Sequence, residues 1–467
     1  MANPIAVLVD DDPQQLAEAS STIIEAGFKL HSFESVESAL PFIEGTELDV
    51  DLFVLDRKLP MRTGERAVDE LGDELFRIVS QTHSDSRVIV FSGHTDFDHL
   101  QSTVQGGGLV FQHGDHRVDR VSVLRKTQFD KFQDAINELR ELIARFERIE
   151  VAVDLDRGAH QKRVLRRIAH HYGASSISAK ALAGGLTGAP VWRCELVSPS
   201  GPIADVVAKA GNAIPAAGGL QDLLAREAIA RRVEVITGLM GGDVVTILQL
   251  AGDSPASLMS LIGSSDARAA SATEALCVKL DSLQRLPATS VTLRDLVAQI
   301  LSWDRFIEQL DHLGLAIPSP EIWLSTASVM SHTDLHASNV LVCDNSPVII
   351  DSDENAYSSA LRDPMVLMLS SWVHPDSPWL ESMWPSVEDI SDHFGDASFA
   401  AQSPSPEWYA CVSKWIDART SSAREYWSLV MAYSVRQLRF ENVRESATLR
   451  GRVEAMVRLA HRHVTES

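Results

Sequence analysis

Residues Ser331–Val342 read SHTDLHASNVLV, which sets Asp334, His336 and Asn339 directly before a run of β-formers. Pro347–Glu354, PVIIDSDE, then ends another strand-like run at Asp351, twelve residues beyond Asn339. Such a stretch is either a polar loop between buried strands or a place where a carboxylate acts as a base beside metal ligands. The residues upstream decide between the two. Ala181–Val197, ALAGGLTGAPVWRCELV, carries Gly184, Gly185 and Gly188 in a polar turn ahead of a strand. Glycines there let backbone N–H groups approach phosphate oxygens. Ile203–Asn212, IADVVAKAGN, is a strand with one lysine, Lys209, among apolar neighbours, and a lysine so placed needs a partner. Leu220–Val235, LQDLLAREAIARRVEV, has helical spacing and offers Glu227 as that carboxylate.

Phosphoryl transfer asks for metal ions bridging the phosphates, a base on the nucleophile and a lysine on the phosphates. Asp334 supplies the base, Asn339 and Asp351 the magnesium ligands, Lys209 the phosphate contact and Glu227 its orienting partner. The order glycine loop, Lys, Glu, Asp, Asn, Asp is that of eukaryotic-type kinases. The segments GGLTGAPVWRCEL, VVAKAG, HTDLHASNVLV and VIIDSDE resemble the aminoglycoside phosphotransferase and choline kinase branch over roughly residues 175 to 460. In that branch a histidine follows the catalytic aspartate by two, as His336 does, and a plain aspartate turn, here Asp351-Ser352-Asp353, replaces the phenylalanine–glycine motif. The resemblance implies a bilobal α+β kinase-like fold with a mostly helical C-lobe, using ATP and Mg²⁺. By order alone, Leu248 to Leu250 pass the adenine. His332 and His336 read more readily as structural histidines.

The first 150 residues have another rhythm. IAVLVDDDP ends a strand in Asp10, Asp11 and Asp12, and VDLFVLDRKLP ends one at Asp56. SRVIVFSGH ends at Ser92 and VSVLRK at Lys126, with an amphipathic helical stretch after the first strand. Strand and helix in alternation give a parallel doubly wound sheet whose carboxyl-end edge gathers these residues. Carboxylates plus a carbonyl suit Mg²⁺, and a lysine with a hydroxyl suits a phosphoryl group on one of the carboxylates. Residues 4 to 145 resemble the receiver domain of bacterial response regulators, a flavodoxin-like α/β fold with a parallel five-stranded sheet. The resemblance makes Asp10 and Asp11 the metal pair and Asp56 the phosphoacceptor. Lys58 lends its carbonyl to the metal, Ser92 is the switch hydroxyl and Lys126 the family's lysine. Thr127 replaces the usual proline, Val123 replaces the switch aromatic, and the segment before Lys126 is long.

Phe132, Ile136, Leu139, Ile143, Phe146 and Ile149 recur at helical spacing. They allow either a signalling helix and homodimer seam through residues 129–150, or a last helix packed on the receiver. The expected division is receiver 1–128, helical connector 129–172, kinase-like N-lobe 173–252 and C-lobe 253–467. The stretch after Asp351 is rich in tryptophan and acid. From there to Glu407 its one Lys or Arg is Arg362. Either that acid is a solvated surface or it lines a site for a cationic substrate.

The formal charge of −22 over 467 residues disfavours a general nucleic-acid binder. Four scattered cysteines and no bilayer-length apolar run fit a cytoplasmic protein without membrane association. The expected phosphodonor is a histidine kinase or phosphotransfer protein, and the expected output a phosphotransferase of unknown acceptor. Two alternatives are a nucleotide-binding pseudokinase scaffold and a protein kinase acting on itself or a partner.

Overall fold

The computed structural model describes every residue except 1–3, 46–48, 94–108, 114–115, 154–157, 183–188, 212–213, 215–217, 381, 383 and 467. The chain forms two compact units, residues 1–214 with 232–250, and residues 215–231 with 251–467.

The first unit opens with strands β1 Ile5–Val9, β2 Lys29–Phe33, β3 Val50–Leu55, β4 Arg87–Ser92 and β5 Val121–Arg125. They form the expected parallel sheet in the order β2-β1-β3-β4-β5. β1, β3 and β4 are apolar almost throughout because a parallel sheet is covered on both faces. Helix α1, Pro13–Glu25, starts where Asp12 caps the amides of Gln14 and Gln15. Helices α2 Val36–Gly45 and α3 Asp69–Thr82 follow β2 and β3. The long segment before β5 pairs Leu109–His113 with His116–Asp119 as a hairpin.

Helix α4, Phe129–Glu147, places Phe132, Ile136, Leu139, Ile143 and Phe146 in the core that the parallel sheet shares with α1. The stripe that suggested a dimer seam is thus covered inside the chain, which favours the packed last helix. Nor is the connector wholly helical: β6, Glu150–Val153, pairs in parallel with β7, Ser176–Ala181, around helix α5, Ala159–His171. Antiparallel strands β8 Val191–Ser198, β9 Gly201–Gly211, β10 Arg232–Ile236 and β11 Val244–Leu248 complete a six-stranded sheet ordered β10-β11-β9-β8-β7-β6. Its buried face gathers Trp192, Cys194, Leu196, Ala208 and Ile247 with Leu165 and Ile168 of α5.

The second unit is mainly helical, with Asp266–Leu280, Pro406–Arg419, Ala423–Gln437 and Ala447–Thr465 its longest helices. Trp372, Trp379, Trp384 and Trp408 lie in its core. Residues 215–231 belong to this unit: Ala230 N–H donates to the Ile349 carbonyl at 2.8 Å and Ile349 N–H to Ala228 at 2.9 Å. The expected helix over Leu220–Val235 is therefore only Leu220–Leu223, followed by a turn and this β-bridge. Tertiary pairing at Ile229 and the β-branched run that becomes β10 override the helical spacing. No described helix is long and apolar enough to cross a membrane.

Candidate functional site

Two clusters of chemically capable side chains form, one in each unit. In the first, parallel strands deliver their carboxyl ends to one edge. Asp10 follows β1, Asp56 follows β3, Ser92 ends β4 and Lys126 follows β5. Lys126 Nζ lies 2.7 Å from a carboxylate oxygen of Asp10 and 2.7 Å from one of Asp56. Potential ligand oxygens of Asp10, Asp11 and Asp56 lie within 4.8 Å of one another. Lys58 N–H donates to Asp56 Oδ1 at 3.2 Å, which puts that backbone at the carboxylate. Ser92 Oγ is buried without a hydrogen-bond partner.

Burial of Asp10 pushes its carboxyl up to about 6, with Lys126 opposing and Asp56 adding to the rise. Asp11 is raised for the same first reason, burial, and then by the charge on Asp56. Three clustered carboxylates, whose repulsion one lysine only partly offsets, form a donor set suited to a hard divalent cation. Ser92 Oγ, an orphaned hydroxyl beside this set, suits one more oxygen group on Asp56.

In the second unit a short hairpin pairs Val340–Cys343 with Ser346–Ile349, Val340 opposite Ile349. The register continues past the strands: Ile350 N–H donates to the Asn339 carbonyl at 2.9 Å, so Asn339 stands beside Ile350–Asp351. Asn339 Nδ2 and His336 N–H both donate to the Asp334 carbonyl, at 3.0 and 2.8 Å. Thr333 and Asp351 have positive φ, 69° and 58°. A β-branched residue there is strained, and the structure holds it firmly. The Thr333 hydroxyl donates to the Glu354 carbonyl, while both oxygens of buried Asp363 take the amides of His332 and Thr333. His332 bonds the Ile350 carbonyl through Nε2 at 2.8 Å, a positioning contact. His336 lies against His374, ring centroids 4.3 Å apart and planes tilted by 31°, and burial, then His374, brings its pKa down to about 4.

The Asp334 carboxylate forms a 3.0 Å ion pair with Arg436 Nη1. Burial raises this carboxyl, but Arg436 and then His336 more than offset it and hold it below the ordinary range. Arg436 was missed in the sequence because it lies 102 residues away in an unremarkable helix.

Lys209 sits on β9, opposite Val191 of β8 and Thr246 of β11. Glu227 stands exposed in a turn, where its backbone carbonyl accepts from Lys279 Nζ at 2.9 Å. Leu250 follows β11, half-buried, and Gly184, Gly185 and Gly188 lie outside the described residues.

No family model matches the chain, and no curated protein matches it. Among solved structures, a response-regulator receiver domain from Clostridium thermocellum is 18% identical, with 30% of this chain and 97% of that chain covered and a TM-score of 0.23. One from Methanospirillum hungatei is 16% identical, with 30% and 99% covered and a TM-score of 0.22. The aminoglycoside phosphotransferase APH(4)-Ia, in complex with ADP and hygromycin B, is 13% identical, with 63% and 98% covered and a TM-score of 0.37. A putative aminoglycoside phosphotransferase from Ralstonia eutropha is 11% identical, with 62% and 93% covered and a TM-score of 0.34.

Proposed function

We propose that the chain is a response regulator whose output is an ATP- and Mg²⁺-dependent phosphotransferase of small-molecule type, controlled by phosphorylation of Asp56. The observation that carries the reading is the hairpin that sets Asn339 beside Asp351 and hangs Asp334 from the same loop. Asn339 through Oδ1 and Asp351 through its carboxylate would hold magnesium, which would neutralise charge on the phosphates. The acceptor's hydroxyl oxygen bonds to the γ-phosphorus as the bond to the bridging oxygen breaks. The hydroxyl proton passes to Asp334 and ADP leaves. Lys209 would hold the phosphates. Glu227, exposed in its turn, would orient Lys209.

In the receiver, a histidine kinase or phosphotransfer protein would supply the phosphoryl group to Asp56. Lys126 and Ser92 would then contact its oxygens, and Asp10 and Asp11 would hold Mg²⁺. The ion pair between Asp334 and Arg436 supports a second reading, a nucleotide-binding scaffold whose base is held in reserve.

Thermal unfolding of the full-length protein with and without Mg²⁺-ATP, beside Asp351→Ala, tests the reading. Ligand binding to the native state raises the apparent Tm by mass action. A magnesium-dependent rise that Asp351→Ala abolishes is expected. No rise at millimolar nucleotide would remove the phosphotransferase.

A further inference from the structure

The acid-rich second unit, set beside its nearest cations, points away from a cationic acceptor. From Asp351 to Glu407 the one Lys or Arg is Arg362, and it is 8% exposed. Its Nε is buried with no hydrogen-bond partner. A buried guanidinium is costly unless its donors are matched, so an orphaned one calls for an explanation. Asp363, the next residue, has both oxygens committed to the amides of His332 and Thr333. Burial lowers the Arg362 pKa, and the charge on Arg436 lowers it further against Asp363, Asp334 and Glu354. The amides that Asp363 takes belong to the two residues before Asp334, so the start of the helix that carries Arg362 lies against the loop that carries the ion pair of Asp334 and Arg436.

A third cation adds to it. Arg439 is exposed, and its guanidinium lies 4.8 Å from the Phe440 ring centroid, with Arg436 5.8 Å from the same ring. Arg439 is held down by partial burial and then by Arg436. Burial lowers the pKa of both His336 and His374, which lie against each other in the same region.

We infer that Arg362 and Arg436 form an anion-recognition site beside Asp334, with Arg439 at its rim, and that the acceptor carries a phosphate or carboxylate near the hydroxyl to be phosphorylated. The inference rests on the proposed phosphotransferase for its acceptor, but the anion site itself does not need nucleotide. Planar guanidinium forks suit such oxyanions. An acceptor anion that engages Arg436 competes for the cation that now holds Asp334, which leaves that carboxylate to take the hydroxyl proton. The acid of the surrounding lobe is then a solvated surface.

Calorimetric titration of inorganic phosphate into the full-length protein tests the site, first nucleotide-free and then saturated with Mg²⁺ and a non-hydrolysable ATP analogue. The analogue fills the γ-phosphate position, so phosphate seen there reports a different site. We expect binding in both states, weakened at least tenfold by Arg362→Gln and largely restored by Arg362→Lys. Circular dichroism of each variant checks the fold, and Arg439→Gln, at the surface, gives a smaller loss without altering a buried residue. Phosphate binding that is absent at 10-fold above millimolar levels, or indifferent to both Arg362→Gln and Arg439→Gln, overturns the inference. Loss of analogue binding with phosphate binding retained would sink the phosphotransferase and leave the anion site standing.

Discussion

At the edge of the parallel sheet, Lys126 is hydrogen-bonded to both buried carboxylates, Asp10 and Asp56. Replacing it with alanine leaves like charges crowded without a counter-ion, a change that costs on the order of 3–5 kcal/mol when a buried pair is broken. The Lys126→Ala protein should melt several degrees lower in EDTA and recover much of that loss in millimolar Mg²⁺. A melting curve unmoved by either treatment would remove the carboxylates from metal binding. In the second unit, Asp334→Asn preserves shape and the Arg436 contact but accepts no proton. With a turned-over acceptor, kcat should fall by roughly 10²–10⁴ while KM for Mg²⁺-ATP stays put. A variant that keeps its kcat would leave the scaffold reading in possession.

At the scale of elements, the hairpin of β10 and β11 is fastened to the start of β3 and the residues before it by charge. His160 on α5 bridges Asp49 at 2.9 Å and Asp243, beside β11, at 3.0 Å. Hydrogen bonding to Asp49 is the main cause that raises His160 to about 9. Arg163 on the same helix donates to the Asp51 carboxylate and, through Nε, to the Leu239 carbonyl. A group whose folded pKa is raised stabilises fully below its unfolded value, near 6.5, and loses that contribution as pH climbs through the folded value. Stability owed to His160 should therefore be present at pH 6 and fade between about pH 7 and 9. His160→Gln should flatten that part of the profile, as urea unfolding across the range would reveal. His160 is well solvated, so the effect is modest; Arg163→Met, which strands buried Asp51, should cost more.

Across the first unit, β3 links two polar sites. Asp51 near its start meets Arg163, and Asp56 follows its end, about 17 Å away at the usual rise per residue. Phosphorylating Asp56 with a small phosphodonor and Mg²⁺ should change amide exchange in residues 237–243, and Asp56→Ala should abolish the change. Unaltered exchange there would detach the receiver from the adjoining sheet as its regulator. The sequence shows these two sites unequally. Asp10, Asp56, Ser92 and Lys126 were legible because each directly ends a strand, and Asp334, Asn339 and Asp351 because one short segment holds them. Asp49 and Asp51 were not, since their partners lie 111 and 112 residues away. Glu227 was misplaced on a helix because apolar spacing cannot report the bridge that Ile229 makes with Ile349. The strand β6 hid inside a connector whose helical stretches dominated its composition.

Leu239 lies 1% exposed within the apolar core of the parallel sheet, α1 and α4, although it belongs to the hairpin that follows β10. Met240 N–H beside it donates to Asp85. A fragment cut after residue 128 would lack α4, and one cut after 150 would carry an open apolar socket where Leu239 plugs in. It would also bare Asp51 and Asp85 to solvent. Such excised pieces would be prone to self-association through that socket. Metal binding measured on them would report a wounded protein, and co-expression with the hairpin-bearing remainder is the natural remedy.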